Sequence, residues 1–256
     1  VHLQTSTVSI TKSGDVGGSI ALYDDSKLLG DGRSTLINTT AVTNGGGIYL
    51  DSSNVSVVGV KVKSGLALLG GGIYCDGTKS SLSHVHLVEC TGMNGGGGLF
   101  LTNNAEVKVS QTTIDRCKSS IGGGCHVTEK SVLTGLEISM RNNTADRGGG
   151  AMVEKRSVAR VSTLLVIGNR AKNGAGVCLR DEALGTFDQN SVFEGNVAMN
   201  QGGGVMVAGD SSCSLKDSLL LRNYGFYGGA LYVDGCAIAL STVEVRDNAV
   251  EDGGYG

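Results

Sequence analysis

Apolar residues alternate with variable ones in short runs along the whole chain, and glycines introduce each run. Ile48-Tyr49-Leu50 follows Gly45-Gly46-Gly47, Ile73-Tyr74-Cys75 follows Gly70-Gly71-Gly72, and Leu99-Phe100-Leu101 follows Gly96-Gly97-Gly98. The series continues with Cys125-His126-Val127, Ala151-Met152-Val153, Val177-Cys178-Leu179, Val205-Met206-Val207 and Leu231-Tyr232-Val233. A weaker copy opens it at Gly17-Gly18-Ser19, and a truncated one closes it at Gly253-Gly254-Tyr255. The third position of each triplet falls at 19, 47, 72, 98, 124, 150, 176, 204, 230 and 255. Such a steady period is the signature of a solenoid, in which each repeat buries its apolar face against the next.

Within a repeat, the apolar–variable–apolar triplet has strand periodicity, so its first and third residues point inward. A polar turn such as Asp51-Ser52-Ser53-Asn54 follows, then a second alternating strand: Val55-Ser56-Val57, Leu82-Ser83-His84-Val85, Val107-Lys108-Val109, Ile238-Ala239-Leu240. A third short strand ends in an apolar residue three before an Asn or Cys, as in Leu87 and Cys90, Ile114 and Cys117, Val166 and Asn169, or Phe193 and Asn196. These features predict an all-β chain, a right-handed parallel β-helix (β-solenoid) of about nine to ten coils of ~26 residues with three short strands per coil. At ~4.8 Å per coil the rod is roughly 45 Å long. Residues 1–256 read as a single β-helix domain, with the first coil (1–44) the least regular. The chain starts on the alternation Val8-Ser9-Ile10-Thr11 and shows neither of the polar caps that solenoid ends need, so it is expected to be a segment of a longer chain. Asn143, Asn169, Asn196, Asn223 and Asn248 share one position per repeat and predict an asparagine ladder, amide bonded to amide up the stack.

Composition sharpens this picture at three points. The chain has 42 glycines but not the every-third spacing of collagen, and no proline, which suits strands paired on both sides. Its net charge is −3 with no basic stripe, which argues against a nucleic-acid partner. No apolar run reaches the ~18 residues of a membrane helix, and no signal peptide opens the chain, so no membrane span is expected in this segment.

Phe193-Glu194-Gly195-Asn196 followed by Gly202-Gly203-Gly204-Val205 resembles the Phe-x-x-Asn and Gly-Gly-Ala-[Ile/Leu/Val] repeats of chlamydial polymorphic outer-membrane proteins, whose passengers are autotransporter-type adhesins. Glycine-triplet repeats are also similar to those of large extracellular β-solenoid proteins of microbial eukaryotes. Only Gly228-Gly229-Ala230-Leu231 keeps the Ala, and only Phe193 keeps the Phe. The resemblance implies a β-helical fold and an extracellular or cell-surface setting, with a structural or adhesive role.

The middle residues of the glycine strands form a row expected to face outward: Ala21, Tyr49, Tyr74, Phe100, His126, Met152, Cys178, Met206 and Tyr232. An exposed aromatic and Met row would be a contact face for self-association into a fibre, or for another solenoid or surface protein. Alternatively its rings are sugar platforms of a polysaccharide-binding or polysaccharide-cleaving β-helix. Of the seven cysteines, Cys90 with Cys117 and Cys213 with Cys236 are expected at stacked positions within disulfide reach. Cys75 and Cys125 read as core, and Cys178 as exposed. Asn38, Asn54 and Asn142 head N-glycosylation acceptor triplets in or near turns. Asp51, Asp76, Glu154, Asp181, Asp210 and Asp234 follow glycine strands, where stacked carboxylates would suit Ca²⁺. Thr102 and Thr128 interrupt that row, so solvated turns without a cofactor are the expectation. Catalysis is not expected: His84, His86, Glu137 and Arg141 are scattered over a regular repeat with no long loop to wall a cleft.

Overall fold

The computed structural model describes residues 2–3, 7–9 and 11–255. Among them no helix occurs, and the chain forms a parallel β-solenoid of about nine turns. Of the opening alternation, Ile10 lies outside the described residues, while Thr7–Ser9 pairs with Thr35–Ile37.

The glycine strands stack in register as predicted. One inward column runs Ile48, Ile73, Leu99, Cys125, Ala151, Val177, Val205, Leu231, and its companion two residues on runs Leu50, Cys75, Leu101, Val127, Val153, Leu179, Val207, Val233. The second and third strands of the sequence reading are two arms of one bent strand. Glu106–Asp115, Val132–Arg141, Val158–Ile167, Ser212–Leu221 and Ala237–Arg246 each run unbroken. Each bends at one residue with positive φ: Gln111, Glu137, Thr163, Asp217 and Thr242. A left-handed residue inserted in a strand shifts its alternation by one. Val107 and Val109 therefore point inward before the bend, and Thr112 and Ile114 after it.

The third strand of each coil lies instead after the Asn or Cys, in Thr91–Gly95, Arg170–Asn173, Val197–Gln201 and Tyr224–Tyr227. Its inward residues are small, such as Ala67, Gly92, Ala171, Ala198 and Gly225, because the glycine segment passes directly beneath. Three strands per coil is correct; which residues make the third is not where the alternation pointed.

The interior is a continuous apolar column, and it encloses a cavity of about 10 Å³, at the lower limit of what one water molecule needs and lined by apolar side chains such as Val127, Leu133 and Val161. In the last coil Leu240 and Val245 are exposed, although their register partners Leu215 and Leu220 are fully buried.

Candidate functional site

The asparagine ladder forms as expected. Each Asn follows a corner residue with positive φ, such as Asn142, Gly168, Gly195 and Arg222, which turns the chain so that the next side chain points inward. Asn143 Nδ2 donates to Asn169 Oδ1 at 3.0 Å, Asn169 to Asn196 at 2.9 Å, Asn196 to Asn223 at 2.9 Å, and Asn223 to Asn248 at 2.9 Å. Each Oδ1 also accepts the backbone N–H of the preceding rung, beginning at Cys117 N with 2.8 Å to Asn143 Oδ1. The second Nδ2 proton goes to a carbonyl of the coil before, as from Asn196 to Val166 O at 2.9 Å. Cys117, Cys90, Gly65 and Thr39 occupy the same position in the earlier coils, so there the ladder passes to smaller residues.

Ala21 is exposed, but from Tyr49 on the row expected to face outward is buried. Tyr49, Tyr74, Phe100, His126, Met152, Cys178 and Met206 are all under 9% exposed, and only Tyr232, in the last glycine strand, is partly open. The alternation is right: these side chains leave the main core on the far side of their strand. They enter a second, smaller core instead of solvent. Val16 and Leu69 pack on the Tyr49, Tyr74 and Phe100 rings; Ile121, Ala208 and Tyr232 pack on Met152, Cys178 and Met206. Val16, Leu69 and Ile121 stand just before a glycine triplet, where the corner brings the chain back over its own strand. Gly95 leaves so little room that a Cβ there would lie 2.6 Å from the Phe100 ring. The rings stack at 5.5 Å for Tyr49 on Tyr74 and 5.3 Å for Tyr74 on Phe100, and His126 meets Phe100 edge-on at 5.0 Å. This geometry favours aromatic pairs and stabilises the stack from within.

One buried, hydrogen-bonded pair of polar side chains sits in this second core. His126 Nε2 donates to Glu154 Oε1 at 3.1 Å, and both side chains are nearly inaccessible. Burial alone would raise the Glu154 carboxyl, but the His126 hydrogen bond, with Arg147 and Lys155 nearby, holds it below the usual carboxylate range. His126 Nδ1 has no partner.

The cysteines are thiols. Cys90 and Cys117 stack in adjacent coils as expected, but each sulfur faces a backbone carbonyl, Val88 O and Asp115 O at 3.5 Å, and no disulfide forms. Cys213 pairs with Gly185 and Ile238, so Cys236 is out of step with it and the second expected bridge has no register to form in. Cys75 and Cys125 are core residues, whereas Cys178 is buried rather than exposed. Burial pushes the Cys125, Cys178 and Cys213 thiols up to about 12, which suppresses their reactive thiolate. We expect a thiol reagent to titrate one group in the native chain, Cys236, and all seven after denaturation without reductant. Fewer than seven in the denatured chain would reveal a disulfide.

Asn38, Asn54 and Asn142 are exposed and adopt positive φ at turns, with Asn38 and Asn142 at equivalent corners before the ladder position. The carboxylate row is shorter than expected. Asp51 and Asp76 stack, then Thr102 follows, while Glu154 is taken by His126. Asp181 belongs to a separate charged turn column, in which Arg156 bonds Glu182 through Nε and Nη2 at 3.1 Å. No group of three His, Cys, Asp or Glu side chains converges as a metal site among the described residues.

Two open grooves run along the bent strand. The one in the first half, about 490 Å³ and the smaller of the two, is lined by side chains such as Ser56, Ser81, Lys108 and Thr134. It contains no facing carboxylate pair. His84 and Glu137 both sit at bend positions, with one coil between them, and Arg141 Nε donates to Ser139 Oγ, so these candidates do not come together. The neighbouring third-sheet segments were missed in the sequence, because runs of Thr, Ala and Gly carry no apolar alternation. No protein-family model matches the chain, and no curated protein or solved structure does either.

Proposed function

We propose that the chain is a structural or adhesive solenoid segment of a cell-surface or extracellular protein, a stiff rod that holds its outer turns at fixed spacing. The observation that carries this reading is the uniformity of the coils. Among the described residues the same columns stack from coil to coil, with no long loop to wall off a cleft, which is how a spacer or display scaffold is built. The exposed acceptor asparagines at the corners suit glycan attachment in such a setting. Packing through the aromatic and Met row is withdrawn, because its side chains are spent inside the molecule. The same burial removes the sugar platforms on which polysaccharide binding or cleavage rested.

Electron microscopy of material isolated from its source tests the proposal. Fibres or surface-attached rods labelled by antibody to this chain are the expected result. Dispersed particles that cleave polysaccharide, or that occur only inside cells, would overturn it.

A further inference from the structure

The outer edge of the third sheet forms a ridge parallel to the rod axis, with one residue contributed by each regular coil and two by the bulged ones, where Asn94 stands beside Met93 and Asn200 beside Met199. Backbone pairing places Val42, Leu68 and Met93 on consecutive coils, and Val42 and Met93 are 59% and 53% exposed. Ser120 and Asp146 follow, then Lys172, whose Nζ lies 2.8 Å from Asp146 Oδ1. Met199, 75% exposed, and Phe226 complete the series. Apolar side chains thus flank a central ion pair along a single line. Three consecutive exposed apolar side chains on one ridge are more than the scattered apolar residues of an ordinary surface.

We propose that this ridge is a self-association surface, on which a second copy of the chain docks antiparallel about a two-fold axis between the Asp146 and Lys172 coils. The order of the side chains decides both partner and direction. A two-fold axis there sets Asp146 against the second copy's Lys172 and Lys172 against its Asp146, making a network of four alternating charges. It sets Met93 against Phe226, a sulfur–aromatic contact, and Ser120 against Met199, with Leu68 at the margin. Flanking positions raise no conflict, since Lys118 meets Val197 and Thr144 meets Arg170. Two copies aligned in parallel would instead set Asp146 against Asp146 and Lys172 against Lys172. Like charges so placed reject that alignment, so charge order specifies the antiparallel one.

From Met93 to Phe226, the stretch that the two-fold axis pairs with itself, the ridge spans five coil spacings, about 24 Å, and with a width of roughly 12 Å it covers roughly 290 Å² per copy, which marks a weak, reversible contact. Such pairing matters where copies are crowded, as on a surface or in a bundle. The inference stands apart from the proposed function, because an enzyme carrying this ridge would pair in the same way.

Sedimentation equilibrium of the whole chain, up to several hundred micromolar, tests it. The expected result is a monomer–dimer equilibrium that goes no further, since a two-fold contact closes on itself. Asp146→Lys alone and Lys172→Asp alone each weaken dimerisation at least tenfold, by facing like charges across the axis. An equimolar mixture of the two variants restores it as a heterodimer, because each charge then meets its opposite on the other chain. Met199→Glu, at a more exposed position still, also abolishes pairing while leaving the circular dichroism unchanged. A wild-type chain that stays monomeric, single variants that dimerise normally, or a mixture that fails to pair would each overturn the inference.

Discussion

Asn196→Ala is expected to destabilise the folded chain by about 3–5 kcal/mol, far beyond the usual effect of a single polar substitution. Asn196 is fully buried, and its Oδ1 accepts both Asn169 N at 3.0 Å and Asn169 Nδ2 at 2.9 Å. Its Nδ2 donates to Asn223 Oδ1 and to Val166 O, both at 2.9 Å. Alanine would leave two donors of Asn169 and the Val166 carbonyl without partners, beside a continuous apolar core. Each stranded buried group costs about 1–3 kcal/mol. Asn196→Asp does not rescue it, since a carboxylate accepts but cannot donate, and it buries a charge. Asn248→Ala in the last coil, where the residue is partly exposed, should cost distinctly less. Urea unfolding of the three variants measures this; a loss below about 1 kcal/mol for Asn196→Ala would show that the ladder is not what holds that corner.

Gly123→Ala is expected to do still more damage and to prevent the coils around it from closing. A Cβ at that position would lie 2.6 Å from both Thr144 O and Gly149 O, and 2.8 Å from Thr144 C. All three are backbone atoms of the following coil, and they belong to the ladders that hold the stack, so none can step aside cheaply. Overpacking of this kind costs about 1–3 kcal/mol where side chains can yield, and more where only backbone is available. Gly195 is the control. It has a φ of +60° and nothing within 4 Å of its missing Cβ, so Gly195→Ala meets only the left-handed penalty of about 1–2 kcal/mol. Hydrogen exchange should show lost protection centred on residues 118–150 in Gly123→Ala, and near-native protection in Gly195→Ala. Equal effects would mean that backbone conformation, rather than the close passage of coils, explains the glycine triplets.

These two substitutions also mark where sequence and structure divide. The glycine period, the inward columns and the asparagine ladder were legible in the chain, because a solenoid repeats one environment every coil and so repeats its demand on residue type. Asn169, Asn196 and Asn223 occur where the same four-bond corner recurs, and Asn143 starts the series with three. Alternation likewise gave the side of the strand on which Tyr74 or Met152 stands. It could not tell whether that side meets solvent. That depends on Leu69 and Ile121, brought over the row by the corner before each glycine triplet.

Register had the same limit. Cys90 and Cys117 stack because the spacing between them matches one coil, whereas Cys213 and Cys236 lie close to one coil apart but fall out of step, since coil length varies locally. The third strand escaped notice because its inward residues are Ala and Gly, selected by the nearness of the glycine segment and not by hydrophobic burial. Its outer ridge, with Asp146 and Lys172 between Met93 and Met199, became visible only once every coil was aligned. The sequence by itself therefore determined the repeating unit and what points into its main core, since those follow from local alternation and period. The second core, the pairing register and the outward ridge were decided by tertiary structure alone, because each depends on which distant residue the closed coil lays across the strand.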